Sequence, residues 1–283
     1  MKPTSRICLF VAKLIPRGYF RILKFAAERD PALQDLFLPL KNIPLCLRGD
    51  LRESVFTSLY RTGNIPHQAG FDLLCTSLLR PGDLVFDIGA NIGYTTALFS
   101  HIVGSDGRVI AVEPSPRSFA LLSRSLGEKA NITLLNLGVS KAEGQLEFYV
   151  PPSLDRASFI PIAGAQKLRV TISSLDNLCA SYGYPQFIKV DVEGYEPSVF
   201  SGAVATLHRN DRPIIVFEAL DIKGLEKCIF LLSEQSGGDY EYRRIRNDGS
   251  LVKVEETGSS DFVAIPKWAK ERIDGRTKVH HAA

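Results

Sequence analysis

The sequence predicts an α/β fold with a mostly parallel sheet covered on both faces by helices. Three observations predict it. From Leu84 onward, short apolar and β-branched runs alternate with amphipathic stretches. The runs at 84–88 and 187–192 open on apolar residues, and the run at 108–112 is all small or β-branched after Arg108, as strands buried on both faces are. The first of them enters a helical pattern through a loop that carries Gly89 and Gly93.

Residues 1–74 read as a mostly helical extension. Arg17, Arg21 and Lys24 recur at helical spacing, with Phe20, Leu23 and Phe25 between them. This pattern fits a cationic, solvated helix face packed on the main domain; a peripheral membrane or partner-docking helix is the alternative. Lys2 and Arg6 precede an apolar run that begins at Ile7, but Lys13 interrupts it and no small-residue cleavage site follows, so a retained helix is expected. A short strand at 43–48, a helix at 52–60 and a helix at 71–79 lead to the turn Arg80-Pro81-Gly82-Asp83.

Residues 75–268 form the predicted main domain. Its strands are expected at 84–88, 108–112, 132–137, 187–192 and 213–217. Helices at 93–102, 115–126, 196–208 and 222–235 connect or follow them. Segments 240–245 and 261–265 are expected to close the sheet as an antiparallel edge pair. The connection at 144–172 is longer than usual and contains strand patterns at 145–150 and 168–172, so it reads as an edge hairpin or a functional flap. Residues 269–283 read as a polar tail.

The chain has 283 residues, 45% of them hydrophobic and 23% charged, with a net charge of +3. That balance is too mild to indicate a nucleic-acid partner. Five cysteines are widely spaced with no Cys-x-x-Cys, which argues against a disulfide framework or zinc site and fits a reducing, cytoplasmic setting. No apolar run reaches membrane-spanning length. His67, His101 and His208 are scattered and read as surface or structural residues, and His280 and His281 fall in the tail.

The chemistry concentrates at strand tips. The loop Asp87-x-Gly89-x-Asn91-x-Gly93 lacks the spacing of a dinucleotide fingerprint, Gly-x-Gly-x-x-Gly. A carboxylate there would repel a pyrophosphate and suit a cationic or hydroxyl-bearing ligand, such as the amino group of an amino-acid-containing cofactor. Glu113 ends the second strand, where an acid in nucleoside-binding α/β folds accepts from both ribose hydroxyls. Leu137, at the third strand's end, could cover the base. Asp191, Glu193 and Glu196 crowd the fourth strand's end, and Glu218 ends the fifth. Glu196 is expected to serve the next helix's N-terminus; Asp191 and Glu193 are the functional candidates, since paired buried acids can raise one pKa and create a base.

Asp87-Ile88-Gly89-Ala90-Asn91-Ile92-Gly93-Tyr94, Val112-Glu113-Pro114-Ser115-Pro116, Ser174-Leu175-Asp176 and Ile188-Lys189-Val190-Asp191-Val192-Glu193-Gly194-Tyr195-Glu196 resemble the FkbM family of S-adenosylmethionine-dependent methyltransferases. The resemblance spans roughly residues 75 to 266. It implies a Rossmann-like, seven-stranded, mostly parallel sheet and methyl transfer to an oxygen of a sugar or other small natural product. Asp87, Gly89, Asn91, Gly93 and Glu113 would then hold S-adenosylmethionine, with Leu137, from its strand-end position, beside the base. Asp191 and Glu193 would face a small-molecule or glycan hydroxyl acceptor, one as general base and the other orienting the acceptor or a cation. The rival readings are a nicotinamide-dependent dehydrogenase, disfavoured by Asp87 and the missing glycine, and a non-catalytic partner protein on the same fold.

Overall fold

In a computed structural model the described residues are 1–15, 17–65, 68–152, 156–254 and 260–270. His67 and the tail from residue 271, with His280 and His281, lie outside them. The N-terminal part comprises α1 (Pro3–Leu14), α2 (Tyr19–Arg29), β1 (Leu36–Pro39), β2 (Cys46–Gly49), α3 (Ser54–Thr62) and α4 (Ala69–Leu78). The antiparallel pair β1–β2 places a strand at residues 36–39 that the sequence reading lacked. Pro39 sits at its end, where a missing N–H is tolerated.

The main sheet then assembles from β3 (Leu84–Ile88), β4 (Arg108–Val112) and β5 (Ile132–Leu135), linked by α5 (Tyr94–Val103) and α6 (Pro116–Leu126). After β6 (Gly138–Ser140), β7 (Gly144–Val150), β8 (Gln166–Ser174) and α7 (Leu175–Tyr182), the chain returns through β9 (Phe187–Val190). Next come α8 (Glu196–Ser201), α9 (Val204–His208), β10 (Ile214–Ala219), α10 (Ile222–Ser236), β11 (Tyr240–Ile245), β12 (Leu251–Lys253) and β13 (Ser260–Pro266).

Among the described residues the sheet has eight strands in the order β12-β11-β13-β10-β9-β3-β4-β5, one more than expected because three-residue β12 joins the edge. The five strands from β5 to β10 run parallel, and β13 and β11 are the expected antiparallel pair. Strand order reverses direction between β3 and β9. In open α/β sheets that switch point opens a crevice at the carboxyl ends of the strands.

Strand alternation builds two cores. Leu84, Phe86 and Ile88 pack with Val112, Val190 and Phe217 against α7 to α10. Val85, Val109, Phe187 and Val216 face the other way and share one core with α4, α5 and the N-terminal helices. The extension is thus packed on one sheet face, as expected for a helix with a buried stripe and a solvated one.

Two expected elements break. Residues 196–208 form two helices, because the backbone at Gly202 runs against β6: a Cβ there would lie 2.3 Å from the Ser140 carbonyl oxygen. Asp176 then starts α9, accepting from the amides of Ala205 and Thr206 at 2.9 and 2.8 Å. Segment 132–137 also ends early, at Leu135. Asn136 turns the chain by donating to the carbonyls of Glu113 and Pro114. Beyond it β6 pairs with β8, and β8 with β7, in a separate three-stranded sheet over the small core of Phe148, Phe159, Val170 and Ile172. The long connection is therefore a hairpin of a second sheet.

Gly89 links the two sides of the switch point. Its φ is +79°, and a Cβ would lie 1.8 Å from the Asp191 carbonyl oxygen. Gly82 has a similar φ of +88° but open space around it. Gly82→Ala should cost about 1 kcal/mol, the left-handed penalty alone. Gly89→Ala should cost about 3 kcal/mol, because the backbones must also part. Equal losses in chemical denaturation would show that the β3–β9 approach is not tight.

Candidate active site

A cleft opens at the switch point, at the carboxyl ends of the parallel strands. Gly89, Asn91, Glu113, Leu137, Asp191 and Glu193, six of the expected residues, line it together. β7 and the connection that follows it supply a wall the sequence did not announce: Phe148, Arg156 and Phe159. Arg156 is the cation among the described lining residues.

Asp87 and Gly93 do not line the cleft. Asp87 is fully buried and alternates to the α5 side of β3, where Thr95 and Thr96 donate their hydroxyls to its carboxylate at 2.8 and 2.6 Å. The two hydroxyls meet one carboxylate oxygen, Oδ2, and so tie Asp87 to the start of α5. Gly93 starts α5 at φ +93°, a left-handed conformation that favours glycine.

Lys189 is the register partner of Asp87 on β9 and points to the same face. Its buried ammonium lies 3.4 Å from Asp87 and 3.3 Å from Asp191, and it donates to the Gly89 carbonyl at 2.7 Å. Burial opposes its charge, but Asp191 and Asp87 more than offset that and push its pKa up. The ammonium thus stays charged and holds both strand tips.

Glu113 is buried on the cleft wall. It accepts from the Asn91 amide and the Ser115 amide, both at 2.8 Å. A carboxylate offers about four lone-pair sites, so acceptor capacity remains for a ligand's hydroxyls. Burial pushes its pKa up to about 7, against those two amides and Lys189. Asn91 has φ +48°, and its side-chain oxygen is buried with no hydrogen-bond partner among the described residues.

Asp191, Glu193 and Glu218 converge, with a carboxylate oxygen of each within 4.8 Å of the others. Glu193 is held in the left-handed region at φ +54°. Buried Ser158, from the connection between β7 and β8, donates to the Glu193 carbonyl at 2.9 Å. Phe159 stacks against Tyr195 with centroids 4.9 Å apart, so the small sheet is fastened to the acidic loop. Glu196, the first residue of α8, turns back to accept from the amides of Val192 and Gly194 in the preceding loop and so braces that loop, where the sequence led us to expect a cap on the helix's own amides. Burial and then Asp191 and Glu193 push Glu218 up to about 8, and burial and Asp191 push its β13 partner Asp261 up to about 6. The raised acid of the cluster is thus Glu218, which alternates to the Lys189 face.

A methyltransferase FkbM domain model matches residues 87–247, more than half of the chain. The chain belongs to the FkbM methyltransferase family. Hexuronic acid methyltransferase AglP from Haloferax volcanii is 31% identical over 158 residues, 54% of this chain and 62% of AglP. The 31-O-demethyl-FK506 methyltransferase FkbM from Streptomyces tacrolimicus is 38% identical over 92 residues, 31% of this chain and 35% of that protein. The chain thus spans less than two thirds of the length of these curated relatives. A solved S-adenosylmethionine-dependent O-methyltransferase from Thermotoga maritima superposes with a TM-score of 0.41 at 14% identity, covering 77% of this chain and 72% of its own.

The cofactor of this FkbM domain is S-adenosylmethionine. The cleft fits it: Glu113 and the orphaned Asn91 oxygen can meet hydroxyl or amino donors, and Leu137, Phe148 and Phe159 offer apolar cover for a base. Acids outnumber the single lining arginine, which suits a sulfonium and opposes a pyrophosphate.

Only an ionised Glu113 accepts from two ribose hydroxyls at once. S-adenosylhomocysteine affinity, measured by calorimetry, should therefore rise as pH increases through about 7. Glu113→Gln should weaken binding roughly tenfold to a hundredfold and flatten that dependence. A native affinity independent of pH would contradict this role.

Proposed function

We propose that this protein transfers the methyl group of S-adenosylmethionine to an oxygen of a sugar or other small natural-product acceptor. The convergence of Asp191, Glu193 and Glu218 beside the switch-point cleft carries the reading. The printed activities of AglP and FkbM, on a hexuronic acid and on a demethylated FK506, support the acceptor class.

S-adenosylmethionine supplies a methyl carbon already activated by its sulfonium. The chain's part is alignment and proton removal. Glu113, Gly89, Asn91 and Leu137 hold the nucleoside, and Asp87 and Lys189 fix the loop from behind. Asp191 and Glu193 face the acceptor and orient its hydroxyl. Glu218, its pKa raised close to working pH, receives the proton directly or through its two neighbours, because a base is most effective when its pKa lies near ambient pH. Ser158 and the small sheet hold Glu193 in its strained backbone conformation.

Arg156 favours a second acceptor, a carboxylate oxygen. A hexuronic acid offers both a hydroxyl and a carboxyl group, and a carboxylate needs a cation but no base. Incubation with methyl-labelled cofactor and hexuronic-acid or polyketide acceptors, followed by mass spectrometry, tests the transfer. Absence of labelled product with acceptors of both kinds would sink the proposal.

For a hydroxyl acceptor, kcat should rise with pH through about 8 as Glu218 ionises. Glu218→Gln should remove that limb and lower kcat about 100-fold while leaving S-adenosylhomocysteine affinity within a few-fold. An unchanged pH profile in this variant would point to carboxylate methylation instead.

A further inference from the structure

One surface outside the cleft has a composition that neither packing nor catalysis explains. Helix α1 buries Ser5 and Ala12, with Cys8 and Leu9 packed against the core. Its opposite face exposes Ile7, Phe10 and Leu14, at 64%, 66% and 67% of their surface. Their spacing of three and four residues places them on one stripe. Arg6 and Lys13, one helix edge away, are exposed beside it, and Arg17, Arg21 and Lys24 follow in the next turn and α2. Phe25 of α2 is also 53% exposed. The chain has no aspartate or glutamate before Glu28.

We infer that this face of α1 docks on an anionic lipid surface. An apolar stripe edged with cations and free of acids is the pattern of a helix that lies in the headgroup region. The stripe enters the acyl boundary while the arginines and lysines meet lipid phosphates and carboxylates. α1 has twelve residues, and among the described residues no helix is long and apolar enough to cross a membrane, so it lies on the surface. A second copy of the chain would bring the same cations against each other, which disfavours self-association as the occupant. The inference does not rest on the methyl-transfer reading.

The test is sedimentation of the full chain with phosphatidylcholine vesicles, with and without phosphatidylserine. Binding is expected only to the phosphatidylserine vesicles, weakening as salt rises. Phe10→Ser with Leu14→Ser should weaken it on the order of a hundredfold. Arg6→Ser and Arg17→Ser should each weaken it about fivefold. S-adenosylhomocysteine affinity should stay unchanged in all of these variants, which reports an intact fold. Phe10→Trp should blue-shift its emission on the same vesicles. No binding to phosphatidylserine vesicles would overturn the inference. So would binding that survives Phe10→Ser with Leu14→Ser, or concentration-dependent dimerisation without vesicles that this double variant abolishes.

Discussion

The site depends on one buried ammonium. Lys189 stands between Asp87 and Asp191 and donates to the Gly89 carbonyl. The three groups belong to two strands that are neighbours in space and about a hundred residues apart in sequence. Buried ions are costly, and removing one partner of such a set costs roughly 3–5 kcal/mol. The arrangement therefore fixes the β3 and β9 tips relative to each other far more firmly than loop packing would. It also leaves two carboxylates against one ammonium. The surplus negative charge faces the cleft through Asp191 and contributes to the raised pKa of Glu218.

Strand alternation divides the labour around that anchor. On the α5 face, Asp87, Lys189 and Glu218 form a charged layer beneath the loop. Glu113, Asn91 and Leu137 line the cleft itself. The small sheet of β6, β7 and β8 closes one side through Phe148 and Phe159 and fastens the Glu193 loop through Ser158 and Tyr195. Rigid elements thus hold each acid, so that little reorganisation is needed when an acceptor enters.

Much of the parallel sheet was legible because buried strands and amphipathic helices leave period-two and helical patterns. Glu113 and the Asp191–Glu193 pair were legible as acids at strand ends. Strand alternation turns Asp87 toward α5, where Thr95 and Thr96 in that helix's first turn donate to one of its oxygens, and this placement follows from the strand's pleat and not from tip position alone. The Lys189 contacts require strand order, which local pattern does not contain. Likewise Glu218 beside Asp261 depends on β13 inserting antiparallel next to β10. The wall of Phe148, from β7, with Arg156 and Phe159, from the β7–β8 connection, forms only after the chain leaves β5 at Asn136, and a long connection carries no local mark of where it docks.

The most direct measurement is the crystal structure of the protein with S-adenosylhomocysteine. The ribose oxygens should lie about 2.7 Å from the Glu113 carboxylate, with the base beside Leu137 and the sulfur toward Asp191. A nucleoside bound elsewhere, or one that leaves Glu113 untouched, would contradict the assignment of this cleft.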